Sequence, residues 1–221
     1  MSVKTVFITG ASAGFGEACA RAFATPGNRL VLAARRMEKL ASLREELTQA
    51  AGVHIVQLDV RDRHAVEAVV ASLPAEFREI DVLVNNAGLA LGLEPAHQVA
   101  IEDWEVMVDT NVKGLMYCTR AILPGMVERN RGHIVNISST AASWPYPGGN
   151  VYGGTKAFVS QFSRILRADL LGTRVRVSCI QPGMAETEFS NVRFKGDDEL
   201  ASKVYAGAAA LTAADIADTV A

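Results

Sequence analysis

Ser139, Tyr152 and Lys156 are the residues of this chain whose types and spacing most clearly suggest chemistry. Tyr152 and Lys156 are four residues apart, so on a helix they share one face and the ammonium group can lie near the phenol. A free phenol has a pKa of about 10, and moving it toward neutrality takes about 4 kcal/mol, part of which a nearby cation can supply. The hydroxyl of Ser139 can hold a substrate oxygen while the phenol moves a proton. The three side chains therefore predict an acid/base centre acting on a hydroxyl or carbonyl group.

A glycine-rich turn lies near the start of the same chain. The segment 9–16 reads TGASAGFG and includes Gly10, Ser12, Gly14, Phe15 and Gly16. Such a turn between a strand and a helix lets backbone N–H groups approach the pyrophosphate of a dinucleotide. Its spacing departs from G-x-G-x-x-G, and a purely conformational role is the alternative. Together with the tyrosine and lysine, the turn predicts hydride transfer with a nicotinamide cofactor.

Two arginines favour NADP over NAD. Arg35 and Arg36 follow the second apolar run, where an NAD-selective site would place a carboxylate against the ribose 2′-hydroxyl. Guanidinium groups at that point instead favour a 2′-phosphate. The alternative is that one or both arginines only begin a solvated helix.

Short apolar runs alternate with longer segments of helical periodicity. The predicted strands are 3–8, 29–33, 53–58, 81–84, 133–137 and 174–180, and the predicted helices are 15–24, 37–49, 61–72, 103–126 and 151–171. This alternation predicts a single α/β domain with a Rossmann-like, doubly wound parallel sheet and helices on both faces. Thr212 is predicted to cap a last helix.

Polar and glycine residues follow two of the predicted strands. Asp59 and Val60 come after the third strand, and segment 85–88 (NNAG) follows the fourth. Because ligands bind at the carboxyl ends of such strands, these positions are candidates for cofactor contacts. Ordinary turn chemistry is the alternative.

The ordered set of motifs resembles the short-chain dehydrogenase/reductase family over essentially the whole chain. The motifs are TGxxxGxG at 9–16, NNAG at 85–88, Asn111, Ser139, YxxxK at 152–156 and PG at 182–183. Segments 85–97, 143–158 and 187–198 are further similar to the bacterial NADP-dependent 3-hydroxy acid dehydrogenases, which also act on serine and allo-threonine.

The resemblance implies a role for each matched residue. Tyr152 is the general acid/base, Lys156 lowers its pKa and holds the ribose, Ser139 rather than Ser138 orients the substrate oxygen, and Asn111 completes a proton relay through water. The implied cofactor contacts beyond the glycine turn and the arginines are Asp59, Val60, Asn86, Ala87, Gly88, Tyr152, Lys156, Pro182, Gly183 and Thr187. The resemblance also implies a homodimer or homotetramer, and a final strand beyond Ala221 that this chain is expected to lack.

Segment 184–210 is predicted to be a mobile lid over the substrate. Within it, Arg193 is the candidate for gripping a substrate carboxylate and Lys195 is the second candidate. The alternative is that Arg193 pairs with an acid on the lid surface.

Composition narrows the classes of partner. The chain of 221 residues has 22 basic and 24 acidic residues and a net charge of −2, so neither nucleic acid nor an anionic membrane is an expected partner. It has no signal-peptide pattern and no apolar run of membrane-spanning length, so a cytoplasmic location is expected. The three cysteines are far apart and the four histidines show no ligand spacing, so neither disulfides nor a metal site is predicted.

The predicted function is hydride transfer between NADP(H) and a short 3-hydroxy acid, such as 3-hydroxypropionate, serine or allo-threonine, or the matching semialdehyde. One alternative is an NADPH-dependent reductase of uncharged ketones or aldehydes. Another is a protein that binds NADPH to regulate a partner without turnover, although such a sensor has no need of Ser139, Tyr152 and Lys156.

Overall fold

The structure of the protein is a computed structural model, which describes residues 3–204 and 209–221, apart from the side chain of Lys203. Its sheet has six parallel strands in the order β3-β2-β1-β4-β5-β6. The strands are β1 Thr5–Thr9, β2 Arg29–Ala34, β3 Gly52–Gln57, β4 Val82–Asn85, β5 Gly132–Ile137 and β6 Val175–Ile180. This order reverses direction between β1 and β4, which opens a crevice at the carboxyl ends of those strands.

Helices cover both faces of the sheet. They are α1 Gly14–Phe23, α2 Met37–Leu47, α3 Arg63–Ser72, α4 Ile101–Val108, α5 Leu115–Glu128, α6 Asn150–Asp169, α7 Phe189–Arg193, α8 Asp198–Lys203 and α9 Ala213–Val220. Every residue of β1 is buried, and apolar side chains pack in one cluster on each face of the sheet. The predicted Rossmann-like fold is thereby confirmed.

The predicted elements agree with the observed ones within two residues at each end, except in one region. The single helix predicted over 103–126 consists of α4, a π-helical segment Asp109–Gly114 and α5. Gly114 brings this segment close to Val60, because a Cβ at Gly114 would lie 2.6 Å from Cγ2 of Val60. Apolar spacing cannot distinguish a π-helical turn from a regular one, so the sequence concealed this interruption.

The last helix confirms the predicted cap. Thr212 Oγ1 accepts a hydrogen bond from Asp215 N, and the Asp215 carboxylate accepts one from Thr212 N. Helix α9 packs Ile216, Ala217 and Val220 into the cluster that contains α1. The segment 184–210, predicted as a lid, includes α7 and α8, and its residues 205–208 lie outside the described residues.

Within residues 3–204 and 209–221, no helix is both long and apolar enough to cross a membrane. The same residues contain no cluster of three or more histidine, cysteine or acidic side chains that could hold a metal ion.

His133 on β5 predicts a pH dependence of stability. Burial, and then the charges of Arg176 and Lys4, lower its pKa from 6.5 to about 4. Between these values the unfolded chain binds a proton that the folded chain does not, so the free energy of unfolding falls as pH decreases through this window. Allowing for solvent screening, we expect a loss of about 1–2 kcal/mol. Urea unfolding of the wild type and His133→Gln at pH 7 and pH 4.5 measures it. The exposed-residue control His97→Gln should retain the wild-type pH dependence, and a His133→Gln variant that also retains it would contradict the assignment.

Candidate active site

A cleft of about 870 Å³ lies at the carboxyl ends of the strands. Most of the residues predicted for the site line it: Gly10, Ser12, Gly14, Phe15, Arg35, Arg36, Asp59, Val60, Asn86, Ala87, Gly88, Ser139, Tyr152, Lys156, Pro182, Gly183, Thr187 and Arg193. Gly16, Asn111 and Lys195 are not among its lining residues. The fold therefore brings residues from both ends of the chain into one cleft.

The glycine turn forms the floor at one end of the cleft. Gly10 and Gly14 have φ angles of 66° and 55°, in the left-handed region that favours glycine. A Cβ at Gly16 would overlap the carbonyl oxygen of Gly10, so only glycine allows α1 to begin this close to the turn. Asn86 Nδ2 donates to the carbonyl of Thr9 at 2.9 Å and ties β4 to the turn. The glycines expose backbone N–H groups at the start of α1, and this arrangement fits the pyrophosphate of a dinucleotide.

The corner between β2 and α2 carries the two predicted arginines. Arg36 donates through Nε and Nη2 to Ser12 Oγ at 3.3 and 3.2 Å, while Arg35 is exposed. Asp59, after β3, is paired with Arg61, and hydrogen bonding to that guanidinium group lowers the pKa of Asp59. No carboxylate from β2 faces Ser12, so the described corner is cationic and fits a 2′-phosphate.

Tyr152 and Lys156 lie on one face of α6, as their spacing predicts. Their side chains are buried, and Nζ of Lys156 is 5.8 Å from the centroid of the Tyr152 ring. The ammonium group donates to the carbonyl of Ile137 at 2.9 Å, which fixes it at the end of β5. Gly88 leaves room beside it, since a Cβ there would lie 3.3 Å from Nζ.

The structure separates the two adjacent serines after β5. Ser138 Oγ donates to the carbonyl of Lys156 at 2.8 Å and also contacts Ser160 Oγ, so it faces α6. Ser139 instead lines the cleft, where its hydroxyl accepts a hydrogen bond from Ala141 N and acts to lower the pKa of Tyr152. Because successive residues of an extended segment point to opposite sides, only one of the pair can reach the tyrosine.

Burial has the largest influence on the pKa of Tyr152. Burial raises it, while the hydrogen bond with Ser139 and the charge of Arg193 oppose this increase. Burial also lowers the pKa of Lys156 to about 8. Lys156 directs its hydrogen bond to Ile137, so desolvation dominates the pKa of Tyr152 in the described structure, and the lowering of this pKa by Lys156 stays a prediction.

Asn111 lies in the π-helical segment, behind the cleft. Its Oδ1 accepts from Leu89 N at 2.9 Å, and its Nδ2 donates to the carbonyl of Leu89 and to Thr155 Oγ1. These bonds connect the loop after β4 to α6. The side chain has a positioning role in the described structure, and its part in a proton relay stays a prediction.

The two predicted substrate cations lie in different places. Arg193, at the end of α7, has its guanidinium carbon 5.3 Å from the centroids of both Tyr152 and Phe189. Its Nη2 donates to Tyr146 Oη at 3.0 Å, and its buried Nε has no hydrogen-bond partner among the described residues. Lys195 instead forms an ion pair with Asp103 at 2.8 Å, outside the cleft. The structure therefore brings Arg193, but not Lys195, close to Tyr152, the predicted general acid/base.

Two side chains that line the cleft, Tyr146 and Glu188, and one beside it, Lys39, were not identified from sequence. Tyr146 holds Arg193, and Glu188 bonds both Arg36 and Lys39. The aromatic and proline run at 144–147 (WPYP) is the one sequence signal that could have indicated Tyr146. Glu188 and Lys39 gave no local signal.

The fold and cleft define a class of protein. A doubly wound parallel sheet with a glycine turn at its switch point, and a serine, tyrosine and lysine at the other end of the cleft, is the arrangement of a dinucleotide-dependent oxidoreductase. The sequence profile of the short chain dehydrogenase family matches residues 4–198. The chain belongs to this family and is an oxidoreductase.

Similar proteins extend over nearly the whole chain. The NADP-dependent 3-hydroxy acid dehydrogenase YdfG of Salmonella typhi is 63% identical over 216 residues, which are 97% of this chain and 86% of the relative. Sulfoacetaldehyde reductase 2 of Chromohalobacter salexigens is 51% identical over the same shares of the two chains. The closed form of serine dehydrogenase complexed with NADP⁺ superposes with a TM-score of 0.94 at 61% identity, covering 97% of this chain and 86% of that chain.

Alanine at Gly16 is expected to abolish tight cofactor binding and to destabilise the fold by about 1–3 kcal/mol, because its Cβ would overlap the backbone of Gly10. Gly154→Ala is the matched control. Gly154 lies inside α6, and an added methyl group there would meet no atom within 4 Å beyond its own helix backbone, so this change should stabilise by about 0.5–1 kcal/mol. Urea unfolding and titration of NADPH fluorescence measure both effects, and unchanged NADPH binding by Gly16→Ala would refute the close-approach argument.

Proposed function

We propose that this chain transfers a hydride between NADP(H) and short 3-hydroxy acids or the matching semialdehydes. The observation that carries the substrate class is the Arg193 guanidinium group beside Tyr152, with Nε unpaired among the described residues. A half-buried arginine whose Nε donor is buried and unused is suited to an anionic group on the substrate. The names of the similar proteins, which include 3-hydroxy acid, serine and sulfoacetaldehyde enzymes, support the same choice.

Arg193 is held for this task by aromatic neighbours. Tyr146 accepts its Nη2, and the rings of Phe189 and Tyr152 have their centroids at equal distances of 5.3 Å from the guanidinium carbon. Because these partners carry no negative charge, the cation remains available to a carboxylate. A substrate anchored there would present its hydroxyl group toward Tyr152 and Ser139.

The site residues divide the chemistry among them. NADP⁺, when bound, supplies the hydride acceptor at C4 of its nicotinamide. In oxidation, Tyr152 takes the proton of the substrate hydroxyl while Ser139 holds the same oxygen, and the product is a 3-oxo acid. Lys156 is positioned to hold the cofactor ribose and to favour the phenolate. In reduction, Tyr152 donates its proton to the carbonyl oxygen of a semialdehyde.

Cofactor residues at the two ends of the cleft have complementary proposed roles. Ser12, Arg35 and Arg36 would hold the 2′-phosphate, and the glycine turn would hold the pyrophosphate. Along the cleft, Asp59 and Val60 would contact the adenine, Asn86, Ala87 and Gly88 the ribose side, and Pro182, Gly183 and Thr187 the nicotinamide end. Thr187 also packs near the glycine turn, since a Cβ added at Gly14 would lie 3.4 Å from the Cβ of Thr187.

The experiment that tests the proposal is absorbance at 340 nm with purified protein. NADP⁺ or NAD⁺ is combined with 3-hydroxypropionate, serine, allo-threonine or a neutral secondary alcohol, and NADPH is combined with malonic semialdehyde or sulfoacetaldehyde. We expect activity with NADP⁺ and the anionic substrates. Activity confined to the neutral alcohol would favour the reductase of uncharged carbonyls, and NADPH binding without any turnover would favour a regulator.

We also propose that the chain forms a homodimer or homotetramer in the cytoplasm. Half-exposed apolar side chains on α5 and α6, including Met116, Phe158 and Ile165, support an interface between copies. Light scattering of the purified protein would give its mass, and a monomer at all concentrations would contradict the assembly. Cell fractionation would test the location.

A further inference from the structure

Glu188 connects two cations at the edge of the cofactor cleft. It directly precedes α7, and its Oε2 lies 2.9 Å from Nη1 of Arg36. Its Oε1 lies 2.6 Å from Nζ of Lys39. These bonds join the segment after β6 to the beginning of α2. Glu188 and Arg36 are 152 residues apart in the sequence. They lie beside the corner where the cofactor's 2′-phosphate is expected.

Lys39 lies in the first turn of α2, and Arg36 is the residue directly before that helix. Both side chains reach the carboxylate of Glu188, so the two cations are neighbours there. Arg36 is oriented from the other side by Ser12, through Nε and Nη2, which leaves Nη1 to donate to Glu188. The three side chains therefore form a pocket of two cations around one carboxylate.

The charges of this group match a phosphate better than a carboxylate. Glu188 carries one negative charge opposite two positive ones, whereas a phosphate monoester carries about two negative charges near neutral pH. The side chains of Arg36, Lys39 and Glu188 are 42%, 43% and 45% exposed, so their ion pairs are screened by solvent and easily exchanged. A phosphate that reached Arg36 would also repel the carboxylate of Glu188.

We propose that Lys39 joins Arg36 in binding the 2′-phosphate of NADP(H), and that Glu188 holds both cations only while this phosphate is absent. The inference rests on the proposed use of NADP(H), because it concerns the selectivity of the same cofactor site. Lys39 becomes a specificity-determining residue, and Glu188 becomes an internal competitor of the phosphate.

The test is calorimetric binding of two nucleotides that differ only in this group, adenosine 2′,5′-bisphosphate and adenosine 5′-monophosphate. Lys39→Gln should weaken binding of the bisphosphate by about 10-fold and leave the monophosphate unchanged. Glu188→Gln should tighten binding of the bisphosphate by about 3- to 10-fold, again without an effect on the monophosphate.

Two control variants make the same charge changes elsewhere. Lys113→Gln removes a lysine paired with Asp109, and Glu46→Gln removes a carboxylate paired with Arg21. Both should bind the two nucleotides as the wild type does. Equal effects of Lys39→Gln and Lys113→Gln would overturn the role of Lys39, and weaker bisphosphate binding by Glu188→Gln would overturn competition.

The wild-type protein separates the inference from the proposed function. If it binds both nucleotides equally, the selection of NADP(H) fails and the inference fails with it. If it prefers the bisphosphate and Lys39→Gln keeps that preference in full, only the inference fails. Unchanged monophosphate binding shows in each variant that the cleft is folded.

Discussion

Replacing Tyr152 with phenylalanine is expected to lower kcat by about 10²- to 10⁴-fold while NADPH binding is retained. The change keeps the ring that packs against Phe189, and it removes only the hydroxyl group, whose pKa is influenced by Ser139. Without it, no described side chain next to Ser139 can take the proton of the substrate hydroxyl. Steady-state rates at 340 nm and titration of NADPH fluorescence measure the two quantities.

A matched change separates this effect from the loss of any tyrosine hydroxyl. Tyr117 is a partly buried tyrosine on α5 that packs against the core and does not line the cleft. Tyr117→Phe should have nearly wild-type kcat. If Tyr152→Phe retained more than about a tenth of the wild-type kcat, Tyr152 would not be the general acid/base.

Replacing Arg193 with glutamine is expected to lower kcat/KM for 3-hydroxypropionate by about 10- to 100-fold, mainly through KM. The guanidinium group lies 5.3 Å from the Tyr152 ring centroid and can bond a carboxylate through two nitrogens, whereas the nearby ammonium group of Lys156 is bonded to the carbonyl of Ile137. For a neutral alcohol, KM should not change. Kinetics with the acid and the alcohol, both at the pH where kcat no longer rises, measure the difference.

The Arg193 variant has a second readout in the pH profile. Because the charge of Arg193 lowers the pKa of Tyr152, its removal should move the rise in kcat to higher pH for both substrates. Lys195→Gln is the control, because it removes a positive charge only two residues along the chain. Lys195 pairs with Asp103 outside the cleft. Equal losses in Arg193→Gln and Lys195→Gln, or a loss with the neutral alcohol of the same size, would show that the carboxylate is not bound by Arg193.

Much of the fold could be predicted because its signals are local. Buried parallel strands are short continuous apolar runs, and the helices between them have apolar residues at helical spacing, so element type and order follow from neighbouring residues. The glycine turn and the tyrosine–lysine pair are equally local, since each lies within one loop or one helix. The exception, the π-helical segment Asp109–Gly114, differs from a regular helix by too little for a periodicity to reveal.

The choice between Ser138 and Ser139 shows where local information ends. Spacing made Ser139 the preferred candidate over Ser138, but both follow the same strand and have the same chemistry. The structure assigns them to opposite sides, with Ser138 bonded to the backbone of α6 and Ser139 directed toward Tyr152. The pKa of Tyr152 also depends on the fold. Burial has the largest influence on this pKa, and burial cannot be inferred from the spacing of residues.

By itself, the sequence determined the type and order of the elements of the sheet, the glycine turn and the placement of Tyr152 and Lys156 on one helix face, because each follows from a pattern within a few neighbouring residues. Only the tertiary structure decided that Arg193 enters the cleft and Lys195 does not, although the two are neighbours on one segment. The contacts of Arg193 with Tyr146 and of Glu188 with Arg36 join positions 47 and 152 residues apart. Such contacts arise from the packing of β5, β6 and α2 around one crevice, and no periodicity along the chain records them.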